Sequence, residues 1–434
     1  MTTDVRPEAR LAGLLEELYL GPAPEYRDEV LANAVQQRQR PAWSLPGRWL
    51  PMADIAGRPA FVSSVPWRTV GLALLLIALL AATIAVAGSR RPSVPAPFGL
   101  AGNGVIAWAL DGDIYTGDPA SETVRAVVTT PDIDRNPQFS RDGSHLAFLR
   151  QVPSRTGFFD LVTTAADGTG SDVLSTTPFG TPESVQWAPD GRSILVVDVD
   201  LRLTRFFLDG SPPAILLNGV HLEPDAFRPP DGAEVLFERD AEPGTIYALR
   251  LEDAVVGQLF SAATAGCECE VGGPARWSPD GSKIAVTLQQ GGSEARMHVM
   301  NADGTGLRQL AHTEGTWIEN DPAWSPDGTR VAFNRWQRDD TGGWFVQPIA
   351  IVALDSVAAT PIGVGPASEG ALIEWAPDGQ SILTLPGTLL EAYTWSPGAP
   401  GTIARPTFIN LADGTSRQLD WSVGSIASWQ RVAP

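Results

Sequence analysis

Short apolar runs alternate with polar turns along residues 103–432, and the order of these features repeats. A clear copy begins with Pro322-Ala323-Trp324, an extended segment that ends in an aromatic residue. Ser325-Pro326-Asp327-Gly328 predicts a turn, because proline presets φ at the first corner and glycine tolerates a positive φ at the exit. Val331-Ala332-Phe333 and the apolar run at 346–352 have strand character. The pattern predicts short antiparallel strands joined by tight turns.

A second kind of turn, Asp-Gly between apolar runs, completes each copy. Asp303-Gly304 is the clearest case, and Asp-Gly also occurs at 167–168, 209–210 and 413–414. Asp-Gly between alternating strands is a strong hairpin signal. Each copy is therefore predicted to be a four-stranded antiparallel meander, which is one blade of a β-propeller.

Aromatic residues begin seven copies, at intervals of 48, 40, 50, 47, 51 and 54 residues. Repeats of this length predict a solenoid or a propeller, in which each unit buries its apolar face against its neighbours. We expect the aromatic residues to be structural anchors in the core. The anchors are Phe139, Trp187, Phe227, Trp277, Trp324, Trp375 and Trp429.

The two ends of the repeat region complement each other. Residues 104–128 supply three strands without an aromatic start, and residues 425–432 supply one strand around Trp429. Pairing them would close the ring and remove free sheet edges, which otherwise template aggregation. The sequence thus predicts an all-β, seven-bladed propeller over 103–434, with six or eight blades as alternatives because the copies at Phe139 and Phe227 lack tryptophan.

The repeated Trp-Ser-Pro-Asp-Gly-x-x-Ile/Val-Ala pattern resembles the TolB-type, WD-repeat-like β-propeller repeat of bacterial extracytoplasmic proteins. The resemblance covers about residues 103–432. It implies the fold and says little about function, because one fold carries many functions.

The remaining quarter of the chain contains an uncharged apolar run at 70–87. Its length nearly spans a bilayer, so a transmembrane helix is predicted at 69–88, with a buried helix or a signal peptide as alternatives. A small helical region at 1–40, a Pro- and Arg-containing linker at 41–68 and a second linker at 89–102 complete the predicted layout. Flanking arginines and the propeller's expected compartment favour a cytoplasmic N-terminus and an extracytoplasmic propeller in the cell membrane.

This layout, over about residues 8–88, resembles membrane-bound anti-sigma-factor-like proteins. The resemblance implies that the N-terminal region binds a cytoplasmic partner such as a sigma factor. The zinc-binding version of that domain is excluded, because the first histidine is His145 and the first cysteine is Cys267.

The charge distribution excludes one class of partner. The chain carries a net charge of −19, and residues 1–88 contain equal numbers of arginines and acidic residues. The propeller region therefore carries the whole negative charge, which repels nucleic-acid phosphates.

The sequence offers little for catalysis. It contains no Gly-x-Ser-x-Gly or phosphate-binding loop motif, and its four histidines are scattered. The aspartates of the six turns are expected to hydrogen-bond their own backbone, because copies spread around a ring cannot converge on one site. Cys267 and Cys269 are expected to be structural, either free or bridged. We therefore predict no enzyme, no cofactor and no metal.

The loops that vary in length are all assigned to one face of the propeller, and they hold aromatic and acidic residues. Such residues on the rim of a rigid scaffold suit recognition of a ligand or protein, although loop drift without a ligand is the alternative. The candidate binding residues are Trp317, Glu319, Trp336, Asp339, Asp340, Trp344, Tyr393 and Trp395. The resulting functional prediction is a single-pass membrane protein whose propeller is a binding sensor or scaffold, with a transmembrane regulator and an unrecognised rim enzyme as alternatives.

Overall fold

The computed structural model describes eleven stretches of the chain: residues 74–75, 95–175, 177–261, 269–291, 294–312, 314–339, 341–355, 361–367, 372–385, 405–424 and 428–433. The chain divides into two units, Met1–Ser89 and Arg90–Pro434. In the first unit only Leu74 and Leu75 are described. The predicted helical region at 1–40 and linker at 41–68 lie outside the described residues, and the predicted domain boundaries stay predictions.

Short strands build the second unit. In chain order they are β1 (Gly102–Leu110), β2 (Asp113–Gly117), β3 (Val124–Val128), β4 (Asp134–Phe139), β5 (His145–Gln151), β6 (Phe158–Ala165), β7 (Asp172–Val173), β8 (Phe179–Gly180), β9 (Ser184–Trp187), β10 (Ser193–Val197), β11 (Arg202–Phe207), β12 (Ala214–Asn218), β13 (Val220–Phe227), β14 (Glu234–Arg239), β15 (Glu242–Arg250), β16 (Val256–Ser261), β17 (Cys269–Val271), β18 (Arg276–Trp277), β19 (Lys283–Gln290), β20 (Glu294–Asn301), β21 (Arg308–Gln309), β22 (Trp317–Trp324), β23 (Arg330–Arg338), β24 (Trp344–Val346), β25 (Ile349–Ala353), β26 (Ile362–Val364), β27 (Leu372–Trp375), β28 (Ser381–Leu385), β29 (Thr407–Asn410), β30 (Ser416–Gln418) and β31 (Ser428–Val432).

The strands form five sheets of blade size and one larger sheet. Four of the blades have four strands, in the orders β3-β2-β1-β31, β12-β11-β10-β9, β13-β14-β15-β16 and β27-β28-β29-β30. The fifth blade has five strands, β4-β5-β6-β7 with β8 paired to β6. The larger sheet has ten strands and runs from β17 to β26. Among the paired strands of the described residues, all pairs but β20 with β22 are antiparallel.

The predicted count of seven separate four-stranded blades is wrong. The repeats that start at Trp277 and Trp324 lie in the one ten-stranded sheet, because a parallel bridge between Ala295 and Ile318 joins β20 to β22. Anchor spacing counts sequence repeats, whereas blades are defined by hydrogen bonds between strands, and the two counts differ where neighbouring repeats pair.

The predicted transmembrane helix at 69–88 is also contradicted, and with it the predicted single-pass placement in the cell membrane. Within the described residues, no helix has the length and apolar character needed to cross a bilayer. Apart from Leu74 and Leu75, the apolar run lies outside those residues. The reason for the wrong prediction is that it rested on composition and length alone.

Ring closure by the two ends of the propeller is confirmed. Strand β31 pairs antiparallel with β1, and Trp429 lies opposite Ile106. A bulge between Asn103 and Ile106 interrupts the register. The last strand of the chain therefore completes the sheet that the first strand begins.

Buried anchors link neighbouring repeats. All seven anchor aromatics have 8% or less of their surface exposed. The indole Nε1 of Trp277 donates to the carbonyl oxygen of Ala226 at 3.1 Å, just before the preceding anchor. Trp187, Trp324 and Trp375 repeat this bond, to Gln138, Arg276 and Ala323 respectively, each at 3.0 Å. A buried tryptophan thus adds a hydrogen bond between repeats to its apolar contacts.

The turn after each anchor has one geometry. Its aspartate accepts a hydrogen bond from the backbone N–H two residues on, at 2.9–3.0 Å, which confirms the predicted structural role. The aspartates are Asp142, Asp190, Asp231, Asp280, Asp327 and Asp378. At Gly281, φ is +70° and a Cβ would lie 2.1 Å from the carbonyl oxygen of Pro229, so this turn approaches its neighbour closely. Elsewhere, Cys269 in β17 is buried and disulfide-bonded, while Cys267 lies outside the described residues.

Candidate binding site in the central cavity

One cavity is lined by the first strand of every repeat. Its volume is about 500 Å³, and it receives residues from β4, β9, β13, β18, β22, β27 and β31. These strands come from every sheet, so the cavity lies on the axis around which the sheets are arranged. Turn residues such as Arg141 and Pro279 line one end of it, and we call this the turn end.

Bulges in three of the inner strands place polar residues along the cavity. Asn136, Asp225 and Asp321 have φ values of 50°, 50° and 54°. Each lies at a register shift in its strand, and each lines the cavity. A positive φ at a residue other than glycine costs about 1–3 kcal/mol and persists where the surrounding structure enforces it. Bulges change the direction of side chains. The three bulges therefore place Asn136, Asp225 and Asp321 at the cavity.

An ion-pair chain connects three sheets at the cavity. Arg141 Nη2 lies 2.5 Å from Asp225 Oδ1, and Arg276 Nη1 lies 2.9 Å from Asp225 Oδ2. The Asp225 side chain is still 52% exposed, whereas that of Arg276 is 16% exposed. Burial opposes ionisation of Asp225, but the two guanidinium groups outweigh it and lower the pKa of the carboxyl. Asp225 is therefore a charged group that solvent in the cavity can reach.

Glu374 and Arg431 add a second, more perturbed pair of groups. Burial, with a further contribution from the charge of Asp225, raises the pKa of Glu374 to about 7. Burial, with repulsion from Arg141, lowers the pKa of Arg431 to about 10. Perturbed titratable groups gathered in a concave site are a common sign of function.

Asp321 is a further carboxyl group that lines the cavity. Burial raises the pKa of its carboxyl, although Asn334 Nδ2 donates to Asp321 Oδ2 at 3.2 Å. The cavity thus mixes fixed charges with carboxyl groups that can take up a proton.

His221 forms a cluster with two carboxylates, one of which, that of Glu183, lines the cavity. His221 Nδ1 is 2.6 Å from Glu183 Oε1, and His221 Nε2 is 3.5 Å from Asp240 Oδ1. Burial would lower the pKa of His221, but its two carboxylate partners raise it. In the described part of the chain, no group of three or more His, Cys, Asp or Glu side chains is placed to hold a metal ion.

The buried carboxyl of Glu223 lies beside this cluster. Burial, together with the neighbouring Glu238, raises its pKa well above the usual value. Glu223 Oε2 accepts a hydrogen bond from Ala275 N at 2.9 Å. Because that bond joins β13 to the segment before β18, Glu223 has a structural role.

The described rim residues lie on the neighbouring strands β22, β23 and β24 or in the turn between the last two, and they differ in burial. Trp317 and Glu319 are buried, at 6% and 0% exposure, because they lie inside β22. The carboxylate of Glu319 accepts a bond from Met297 N at 3.0 Å, and the ring of Trp317 packs under Arg335 at 5.0 Å. Both residues make contacts within the sheet.

The β23–β24 hairpin holds the other described rim residues. Trp344 is 37% exposed beside Phe345 at 54%, Trp336 is half-buried, and Asp339 accepts hydrogen bonds within the turn. Asp340, Tyr393 and Trp395 lie outside the described residues. Whether the hairpin binds anything stays a prediction.

The cavity residues had a signal in the sequence that the anchor pattern obscured. The position directly before an anchor is polar in five of seven repeats, although it falls inside a strand with buried neighbours. These residues are Gln138, Gln186, Arg276, Glu374 and Ser428, and all five line the cavity. Polar residues in the middle of a buried strand are the informative exceptions to burial.

Comparison with known proteins gives structural likeness only. No protein-family model and no curated protein matches the chain. It is similar to the crystal structure of TolB from Acinetobacter baumannii, with 15% identity, 81% of this chain and 70% of that chain covered, and a TM-score of 0.41. It is also similar to oligogalacturonate lyase in complex with manganese, with 14% identity, 74% and 86% covered, and a TM-score of 0.52. The lyase from Vibrio parahaemolyticus gives 14% identity, the same coverage and a TM-score of 0.51.

At these identities the likeness concerns the fold alone. The predicted β-propeller fold is confirmed, since the strand topology above is that of a propeller. The prediction that the protein is not an enzyme is contradicted: it rested on the absence of familiar catalytic motifs, and oligogalacturonate lyase is an enzyme with this fold. The comparisons do not show the predicted anti-sigma-factor-like anchor.

Proposed function

We propose that this propeller is a protein-binding module and that a segment of its partner enters the central cavity. A TolB-like propeller fits such a role. The cavity volume of about 500 Å³ lies within the range of ligand pockets, roughly 300–1,000 Å³. It is large enough for a few side chains of an inserted segment and too small for a folded domain.

The observation that carries the proposal is the solvent-reachable ion-pair chain of Arg141, Asp225 and Arg276. These residues come from three sheets, and the strained backbone of Asp225 holds its carboxylate between the two guanidinium groups. A partly exposed ion pair contributes little to stability, roughly 0–1 kcal/mol, so stability alone does not account for the strained backbone that holds Asp225. Here Asp225 is half-exposed, and a partner's peptide N–H or basic side chain can reach it.

Site-specific photo-crosslinking tests the proposal. A photoreactive side chain at Gln138 would report on the cavity, and the same group at Ile215, which is 61% exposed on an outer strand, is the matched control. We expect a covalent adduct to a specific protein from position 138 and none from 215. Adducts at both positions, or at neither, would contradict a cavity-specific partner.

A second candidate site is the β23–β24 hairpin. Trp344 and Phe345 are neighbouring exposed aromatics, and aromatic residues dominate the binding energy of many interfaces. A photoreactive group at Trp344 distinguishes the two sites. An adduct from position 344 without one from 138 would assign binding to the rim.

A further inference from the structure

The segment before β1 crosses the turn end of the cavity. We call residues 95–101 the strap. Ala101 N donates to Pro377 O at 2.9 Å. A Cβ added at Gly99 would lie 3.9 Å from Pro326 O, so the strap also passes close to that turn. The strap is thereby fixed to the turns that follow Trp324 and Trp375.

Phe98 extends from the strap into the turn end of the cavity. Its side chain lines the cavity and packs against the core cluster that contains Ala188 and Phe227. The guanidinium carbon of Arg141 lies 5.2 Å from the centroid of the Phe98 ring. A cation over an aromatic face is attracted to it. Arg141 therefore contacts both the strap and Asp225, the exposed acid of the ion-pair chain.

Arg431 holds the backbone of the strap from inside the cavity. Its Nη2 donates to the carbonyl oxygens of Ala96, at 3.0 Å, and Gly99, at 2.7 Å. Arg431 also lines the cavity. Two cavity arginines thus bind the strap, one through the ring and one through the backbone.

We propose that the strap is an intramolecular plug: Phe98 occupies the turn end of the cavity, and a partner segment that uses this end must displace it. The regulatory consequence rests on the proposed function, whereas closure of the cavity by Phe98 does not. The strap makes the contacts of an inserted peptide, with one aromatic ring in an apolar recess and two carbonyls bound by arginine. Binding in trans would therefore compete with the strap in cis.

Thiol accessibility in the full chain tests closure without any partner. Gln138→Cys places a reporter thiol on the cavity wall, and the wild type gives the background rate. In this background, Phe98→Ala should raise the rate at which a charged methanethiosulfonate reagent labels the thiol by about tenfold. The reason is that the apolar contacts of the Phe98 ring, which keep the cavity closed, are lost. Adding Leu100→Ala, a change at an exposed strap residue, should leave the rate unchanged.

A second variant covers the case in which Phe98→Ala disturbs folding. Arg431→Met removes the donor to both strap carbonyls and keeps Phe98, so it should also raise the labelling rate while circular dichroism stays native. Equal labelling rates in all variants would overturn the plug and leave the strap as a simple lead into β1. A raised rate without a crosslinked partner from position 138 would retain the plug and reject the proposed function.

Discussion

The turns that follow the anchors and the inner-strand positions that precede them differ sharply, although both belong to the same repeat. Every turn uses an aspartate that caps its own backbone, at nearly the same distance. The positions directly before the anchors read Gln, Gln, Ala, Arg, Ala, Glu and Ser. The turn makes the same local contacts in every repeat. Most of the positions before the anchors instead line a cavity that all repeats share.

This difference separates framework from site. A residue whose partners lie in its own repeat or the next can be the same in each copy, because each copy has the same neighbours. A residue at the axis can also meet residues beyond the next repeat, as Asp225 meets Arg141 two repeats away. Individuality at the axis is therefore where function can reside in a repeat protein.

Removing an anchor should have the largest effect. Trp277→Ala is expected to lower the free energy of unfolding by about 3–5 kcal/mol, because it empties the core between neighbouring sheets. Trp277→Phe keeps most of the apolar contact and loses the bond to Ala226 O, so it should cost about 1–2 kcal/mol. Denaturant unfolding measures both. Equal losses would show that the hydrogen bond, and not the packing, makes the anchor.

Turn glycines should rank next and should differ from each other. Gly281→Ala is expected to cost about 2–4 kcal/mol, since φ is +70° and the new Cβ would meet Pro229 O. Gly191→Ala is the matched control, because φ is +66° and nothing lies within 4 Å, so only the backbone strain of about 1 kcal/mol applies. Thermal unfolding compares the two. The same loss at both positions would mean that the turns do not contact their neighbours.

Replacing the cavity carboxyl of Glu374 should change how the free energy of unfolding depends on pH more than it changes the stability at low pH. The folded-state pKa of Glu374 is about 7, above its ordinary value of 4.5, so its contribution is lost as pH rises between these values. Glu374→Gln does not ionise and should be more stable than wild type above pH 7, by on the order of 1–2 kcal/mol after allowing for solvent in the cavity.

Unfolding measured at about pH 5 and about pH 8 checks the sign for Glu374. Glu234→Gln, which removes a carboxylate paired with Arg228 outside the cavity, is the control. An advantage of Glu374→Gln at the lower pH, or one shared by Glu234→Gln, would contradict the assignment.

The framework could be predicted from sequence, and the site could not. Trp429 and residues 104–128 were enough to predict closure, because that pairing depends on matching incomplete repeats. The merging of two repeats through Ala295 and Ile318 depends on one parallel bridge, which leaves no composition signal.

The cavity and the rim were hidden for different physical reasons. The ion pairs of Asp225 join residues 84 and 51 positions away, so spacing along the chain does not reveal them. Trp317 and Glu319 were assigned to an exposed loop, but β22 begins at Trp317 and carries both into the sheet. Loop boundaries taken from repeat spacing are least certain at such places.

The smallest effect on stability is expected at the hairpin, and it decides what remains of the rim. Trp344→Ala should change the free energy of unfolding by less than about 1 kcal/mol, because the ring is partly exposed. The guanidinium carbon of Arg338 lies 5.8 Å from the ring centroid, which is a weak contact. Trp317→Ala is the contrast: the same substitution at a buried ring should cost about 3–5 kcal/mol.

Both variants should be assayed by unfolding and by crosslinking from position 138. If Trp344→Ala leaves both unchanged, the hairpin is an unused loop; if it abolishes the crosslink while the protein stays folded, the partner contacts the rim as well as the cavity. A large loss of stability at Trp344 would instead show that the hairpin belongs to the framework, and the separation of framework from site would have to be drawn elsewhere.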